Sequence, residues 1–186
     1  MTNIADDLKG ALASTISGVG DVVSTTRNVA KDTIVKTVQA GGDVATGSIG
    51  VVGDVISEGV TTASETGVSV TEAVSGLVSG TVEGISEVGG DVGGAVIEAA
   101  QGSIKGVQAV GGDLGEAAVS VVEGVIQAAR EIGGDSGELA KDAVLGTLKA
   151  ADEIGSEAGG LVRKALLSAV ALPHDVIDAL LTGKTE

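Results

Sequence analysis

Apolar residues recur along this chain in steps of three and four and not in strict alternation. That spacing predicts helices rather than strands. The steps are organised in a longer frame. Residues 88–109, 110–131, 132–153 and 154–175 stack without gaps as four copies of one 22-residue unit. Within a unit the apolar letters fall near positions 1, 5, 9, 13, 17 and 20, which is six turns in 22 residues. This is about 3.67 residues per turn, the period of an eleven-residue helical repeat. The frame extends backwards through 66–87, 44–65, 22–43 and 1–21. The seventeenth letter is then Ile16, Val38, Val60, Val82, Ile104, Ile126, Leu148 and Val170, and the last letter of a unit is acidic in every copy except at Ala109. Half-unit echoes support eleven: Asp21, Asp32, Asp43, Asp54 and Glu65 are eleven apart, and Gly102, Gly124 and Gly146 follow the acidic letters before them by the same step. The predicted organisation is eight repeats over 1–175, degenerate in 1–87 and regular in 88–175, followed by a tail at 176–186.

Glycine holds two fixed places in the regular copies. These are Gly89, Gly111, Gly133 and Gly155 at the second letter, and Gly93, Gly115, Gly137 and Gly159 at the sixth. Two glycines four apart bare one face of a helix and let another helix approach closely. All eight are therefore predicted helix-packing residues. The same glycines also read as punctuation. Gly133-Gly134-Asp135 resembles a helix stop followed by a new start, with glycine at a left-handed end and Asp as an N-cap. Glu138 after Asp135, and Glu116 after Asp113, fit a capping pattern. The predicted fold is all-α: a glycine-rich 22-residue helical repeat array, with helices of about 18 residues, roughly 27 Å, joined by Gly-Gly-Asp turns. Long continuous rod helices are the alternative. Disorder or a β-solenoid remain open, most of all in the Val-, Thr- and Gly-rich stretch 44–87.

Composition sharpens this picture. There are 31 Gly and no Phe, Tyr, Trp or Cys, so the apolar content is nearly all Val, Ala, Ile and Leu. Aromatic side chains supply the most area in ordinary cores; a core without them must be thin or rest on close backbone contact. Each interior glycine costs a helix roughly 1 kcal/mol against Ala, so packing has to offset a large deficit. The net charge of −15 argues against nucleic acid as a partner, because such binding neutralises phosphates with Lys and Arg. It argues equally against tight binding to an anionic membrane. The start MTNIADDLKGAL lacks the features of a secretory signal, and no apolar, charge-free window is long enough to span a bilayer. The expected location is the cytoplasm.

Candidate chemistry is sparse. His174 is the single histidine, so no His pair exists for metal or acid–base work, and beside Pro173 it reads as a solvent-facing or capping residue. The carboxylates recur evenly, as on a solvated helix face. Gly183-Lys184-Thr185 lacks the earlier glycine and the following helix of a phosphate-binding loop. Gly-Gly-Asp at a spacing of 22 does not match the nine-residue frame of calcium-binding β-rolls. No catalytic residue, metal site or cofactor is predicted. The basic residues gather slightly at Arg27, Lys31 and Lys36 and at Arg163 and Lys164, while 37–104 holds none.

The eleven-fold, aromatic-poor pattern resembles the eleven-residue-repeat amphipathic helical proteins, a group that includes late-embryogenesis-abundant proteins, synucleins and exchangeable apolipoproteins. The resemblance covers the whole chain at the level of pattern. The synuclein Lys-Thr-Lys-Glu-Gly-Val repeat and the high Lys content of stress proteins are absent, and no site residue carries over. Two functions compete. One is a non-enzymatic structural protein, a self-associating helical scaffold, stalk or tube packed through Gly/Ala faces, whose partners are its own copies or a larger protein complex. The other is a stress-protective or lipid- or interface-coating protein, disordered alone and helical on a surface, with weak membrane-interface contact. Neither is an enzyme.

Overall fold

A computed structural model of the chain describes residues 21–41 and 47–169, with Asp6, Lys9, Gly10, Ala11, Ala13, Ser14 and Val176. Its elements are all helices: α1 (Val22–Gly41), α2 (Gly47–Thr66), α3 (Val70–Glu87), α4 (Val92–Ala109), α5 (Leu114–Ile132), α6 (Ser136–Ile154) and α7 (Ser156–Ser168). No strand occurs among the described residues. The stretch 44–87, where a β-solenoid was a competing expectation, contributes α2 and α3. A continuous rod does not form either. Pro173, His174, the Gly183-Lys184-Thr185 tripeptide and nearly all of the tail and the first unit lie outside the described residues.

One turn device ends four successive helices. Gly67, Gly89, Gly111 and Gly133 have φ between 71° and 75°, a left-handed conformation that costs glycine nothing. The residue after each donates back to a carbonyl of the last helical turn: Val68 to Ala63 (3.2 Å), Gly90 to Ile85 (2.9 Å), Gly112 to Val107 (2.9 Å) and Gly134 to Ala129 (2.8 Å). This is the Schellman arrangement, which satisfies carbonyls that the helix leaves open. The next helix then begins on an acceptor. Asp91 takes the N–H of Gly94, Asp113 that of Glu116, and Asp135 those of Gly137 and Glu138. Such short connections fold consecutive helices back on one another.

The most extensive contacts are made between helices two apart in sequence: α1 with α3, α2 with α4, α3 with α5, and α4 with α6. Each such pair runs parallel. On α4 and α6, Gly93 faces Asp142, Gly146 faces Ile97, and Lys105 pairs with Glu153, so the two chains advance together. Odd and even helices therefore form two layers with an aliphatic core between them. Ile34, Ile56, Leu77, Ile85, Ile104 and Leu166 are its largest fully buried side chains. α3 is the most enclosed helix: from Ala73 to Ile85 every residue except Ser75 is buried. The stretch without any basic residue thus supplies the centre of the molecule. No helix among the described residues is long and apolar enough to cross a membrane.

Candidate interaction surface

Within each layer the helices meet backbone to backbone at glycines. A methyl group on Gly102 would lie 2.8 Å from the Gly53 carbonyl oxygen; on Gly124, 2.6 Å from that of Ser75; on Gly146, 2.8 Å from that of Ile97. These three partners are each 49 residues apart in sequence. Gly80 meets the backbone of Arg27 in the same way, displaced by one further helical turn. Gly80, Gly102, Gly124 and Gly146 all hold the fifteenth place of the 22-residue frame. They are the rungs of the fold. The sequence marks three of them by the eleven-residue step after Asp91, Asp113 and Asp135, but the four-residue glycine spacing that predicts close packing falls on other glycines.

Those other glycines divide by task. Gly89, Gly111 and Gly133 serve the turns, and nothing lies within 4 Å of where their side chains would be. That overturns a helix-packing role for them: a residue that closes a turn faces solvent. Gly155, extended at φ 158° and ψ 163°, joins α6 to α7 by itself and is also unopposed. Of the second set, a methyl on Gly93 would lie only 3.1 Å from the Asp142 carboxylate, and one on Gly115 only 2.9 Å from the Ala165 methyl of α7. Gly137 sits in the first turn of α6 and donates its N–H to Asp135. Gly159 is buried against Asp152.

Charged pairs join helices of one layer: Arg27–Glu83, Lys31–Glu87 and Lys105–Glu153 link helices two apart, and Arg27–Glu131 links helices four apart. Arg27 on α1 bridges two helices of its layer, with Nε 2.7 Å from Glu83 on α3 and Nη2 2.9 Å from Glu131 on α5. Ser79 donates to the same Glu83 oxygen at 3.1 Å, so this nearly buried carboxylate is doubly satisfied. The bond to Glu131 raises the Arg27 pKa above its ordinary value, burial opposes that, and the bond to Glu83 adds to it. Lys31 pairs with Glu87 at 2.9 Å, and this bond raises its pKa. Lys9 reaches Glu65 at 3.0 Å. A cleft of about 220 Å³ beside Lys31, Glu83, Glu87 and Glu131 is lined by these already paired groups. Among the described residues the buried Thr81 Oγ1 has no hydrogen-bond partner; Ser103 and Thr147, at the same place in the frame, donate to the carbonyls of Ala99 and Val144 of their own helices.

At α7 the rungs stop. The fifteenth place there is Ser168. Beside that helix an open groove of about 570 Å³ lies between the start of α5 and α7, lined by Leu114, Gly115, Leu161 and Ala165 together with Asp113, Glu116 and Lys164. It runs on into a second hollow of about 420 Å³ that reaches Val119 and Thr71. Leu161 is 55% exposed and Leu167 41%. No group of His, Cys, Asp or Glu suited to a metal ion occurs among the described residues. No known protein family matches the chain, and no curated protein sequence does either. The arrangement offers a two-layered helical array with an open, apolar groove at α7. The Leu-rich end of the chain, with Leu166, Leu167, Leu172, Leu180 and Leu181, reads in the sequence as a capping or docking element; Leu161, at an eighth place held by Ala95, Ala117 and Leu139 in the other copies, does not stand out.

Proposed function

We propose that this chain is a non-enzymatic structural protein, a self-associating helical scaffold built as an array of 22-residue repeats over 1–175. The observation that carries this reading is the glycine rung at one repeat position in four successive helices. A fold that excludes even a methyl group between its helices is organised for a fixed shape, and its side chains are spent on packing rather than on a cleft. The Gly/Ala faces are used inside one chain here, so association with further copies, or with a larger complex, falls to the edge at α7. The exposed leucines of α7 would also suit a lipid interface, which is the second reading.

Circular dichroism with light scattering on pure protein in dilute buffer, before and after adding phosphatidylcholine vesicles, tests both. The scaffold predicts strong helix without lipid and a mass that is a multiple of 17.9 kDa. Little helix at monomer mass, gained only with vesicles, would overturn it in favour of interface coating. Strong helix at monomer mass would leave the array standing and remove self-association.

A further inference from the structure

The α5–α7 groove is lined by apolar Leu114, Leu161 and Ala165, holds the most exposed large hydrophobic side chain among the described residues, Leu161, and carries opposite charge on its two helices. Asp113 and Glu116 stand on the α5 side and Lys164 on the α7 side. Lys164 forms no ion pair among the described residues. A partner of uniform charge entering here would meet one rim of its own sign. A second copy turned by a two-fold axis would not: each Lys164 rim would face the other copy's Asp113 and Glu116 rim, while the two Leu161 side chains cover each other. A patch that is its own complement is what an isologous interface requires, and an apolar centre with a charged rim is the usual anatomy of one.

We propose that this groove is the self-association surface, two copies pairing across it about a two-fold axis with Leu161 at the centre and Lys164 opposite Glu116 at the edge. The inference rests on the scaffold reading and assigns it a surface. The chain's net charge of −15 opposes any such pairing at long range, so the contact is looked for at about 0.15 M salt, where charges beyond about 8 Å are screened.

Sedimentation equilibrium of the full chain and its variants is the test, with circular dichroism to check that each variant stays helical. Wild type is expected to form a dimer. Leu161→Glu should weaken it by about tenfold or more, as truncating a central apolar anchor does. Lys164→Glu should weaken it less, and adding Glu116→Lys to Lys164→Glu should restore it, since the swap re-creates the opposed pair. If wild type associates but Leu161→Glu and Lys164→Glu associate equally well, the groove is not the interface and the scaffold reading survives. If both variants weaken the dimer but the charge swap fails to restore it, the two-fold pairing of rims is overturned. A wild type that stays monomeric overturns the inference and self-association together.

Discussion

At Gly124 a hydrogen atom is the largest side chain that fits. A methyl there would press on the Ser75 carbonyl at 2.6 Å, and backbone inside a packed helix cannot move aside as a side-chain tip can. Overpacking of this kind costs about 1–3 kcal/mol or more, against a gain of roughly 1 kcal/mol from replacing glycine in a helix. Gly124→Ala is therefore expected to destabilise the fold. Gly160 on α7 has open space around it, so Gly160→Ala should stabilise by up to about 1 kcal/mol. Thermal melts distinguish the two, at about 2–4 °C per kcal/mol for a chain of this size. Opposite signs at two helical glycines are the expected result, and equal signs would remove the rung account. The sequence holds both residues in full view, yet it cannot rank them. Which glycines face a neighbour depends on the parallel register of helices two apart, a tertiary fact that no local pattern encodes. The eleven-residue step after Asp113 marked Gly124 as regular without saying what it met.

Between elements, the most informative joint is that of α4 and α6. Asp142 leans over Gly93 at the start of α4. Burial raises its pKa above the ordinary carboxylate value, repulsion from Glu138 on its own helix and from Asp91, the N-cap of α4, raises it further, and Lys141 offsets part of this. A carboxyl whose folded pKa is raised binds more protons folded than unfolded, so its charge costs stability at neutral pH, and the cost is relieved as pH falls through the folded pKa towards 3.8. The chain should accordingly become more stable on mild acidification. Asp142→Asn should be at least as stable as wild type at pH 7 and show a flatter profile between neutral pH and the carboxylate range. Denaturant midpoints across that range check it; an unchanged slope in the variant would assign the effect to the chain's general negative charge. The helices themselves, and the Asp residues that start them, were legible from periodicity and capping chemistry. This joint was not, because Asp142 reads on its own as one more letter of a solvated acidic face.

For the molecule as a whole, the rungs thin out along the chain. α3 lies on α1 through Gly76, Gly80 and Gly84, α4 on α2 through Gly102 and Gly106, α5 on α3 through Gly124, α6 on α4 through Gly146, and α7 has none in the fifteenth place. Contact between helices two apart is most extensive at α1–α3 and least at α5–α7. Stability should be graded in the same order, since repeat arrays are held by nearest-neighbour terms and open locally where those are weak. Amide hydrogen exchange is expected to be slowest in α3 and fastest in α7. Uniform protection from α2 to α7 would show one cooperative unit instead.

The two-apart rungs also set the step in which such an array can grow. The sequence repeats every 22 residues, but a helix is bound to the one 44 residues away, through partners 49 residues apart at Gly102, Gly124 and Gly146. Deleting a single unit would send every later helix to the opposite layer, yet each would still meet the helix two before it through the fifteenth place, because that place is glycine on helices of both layers, Gly80 and Gly124 in one and Gly102 and Gly146 in the other. Such an array can therefore lengthen or shorten by one 22-residue unit at a time, the two layers exchanging roles beyond the join.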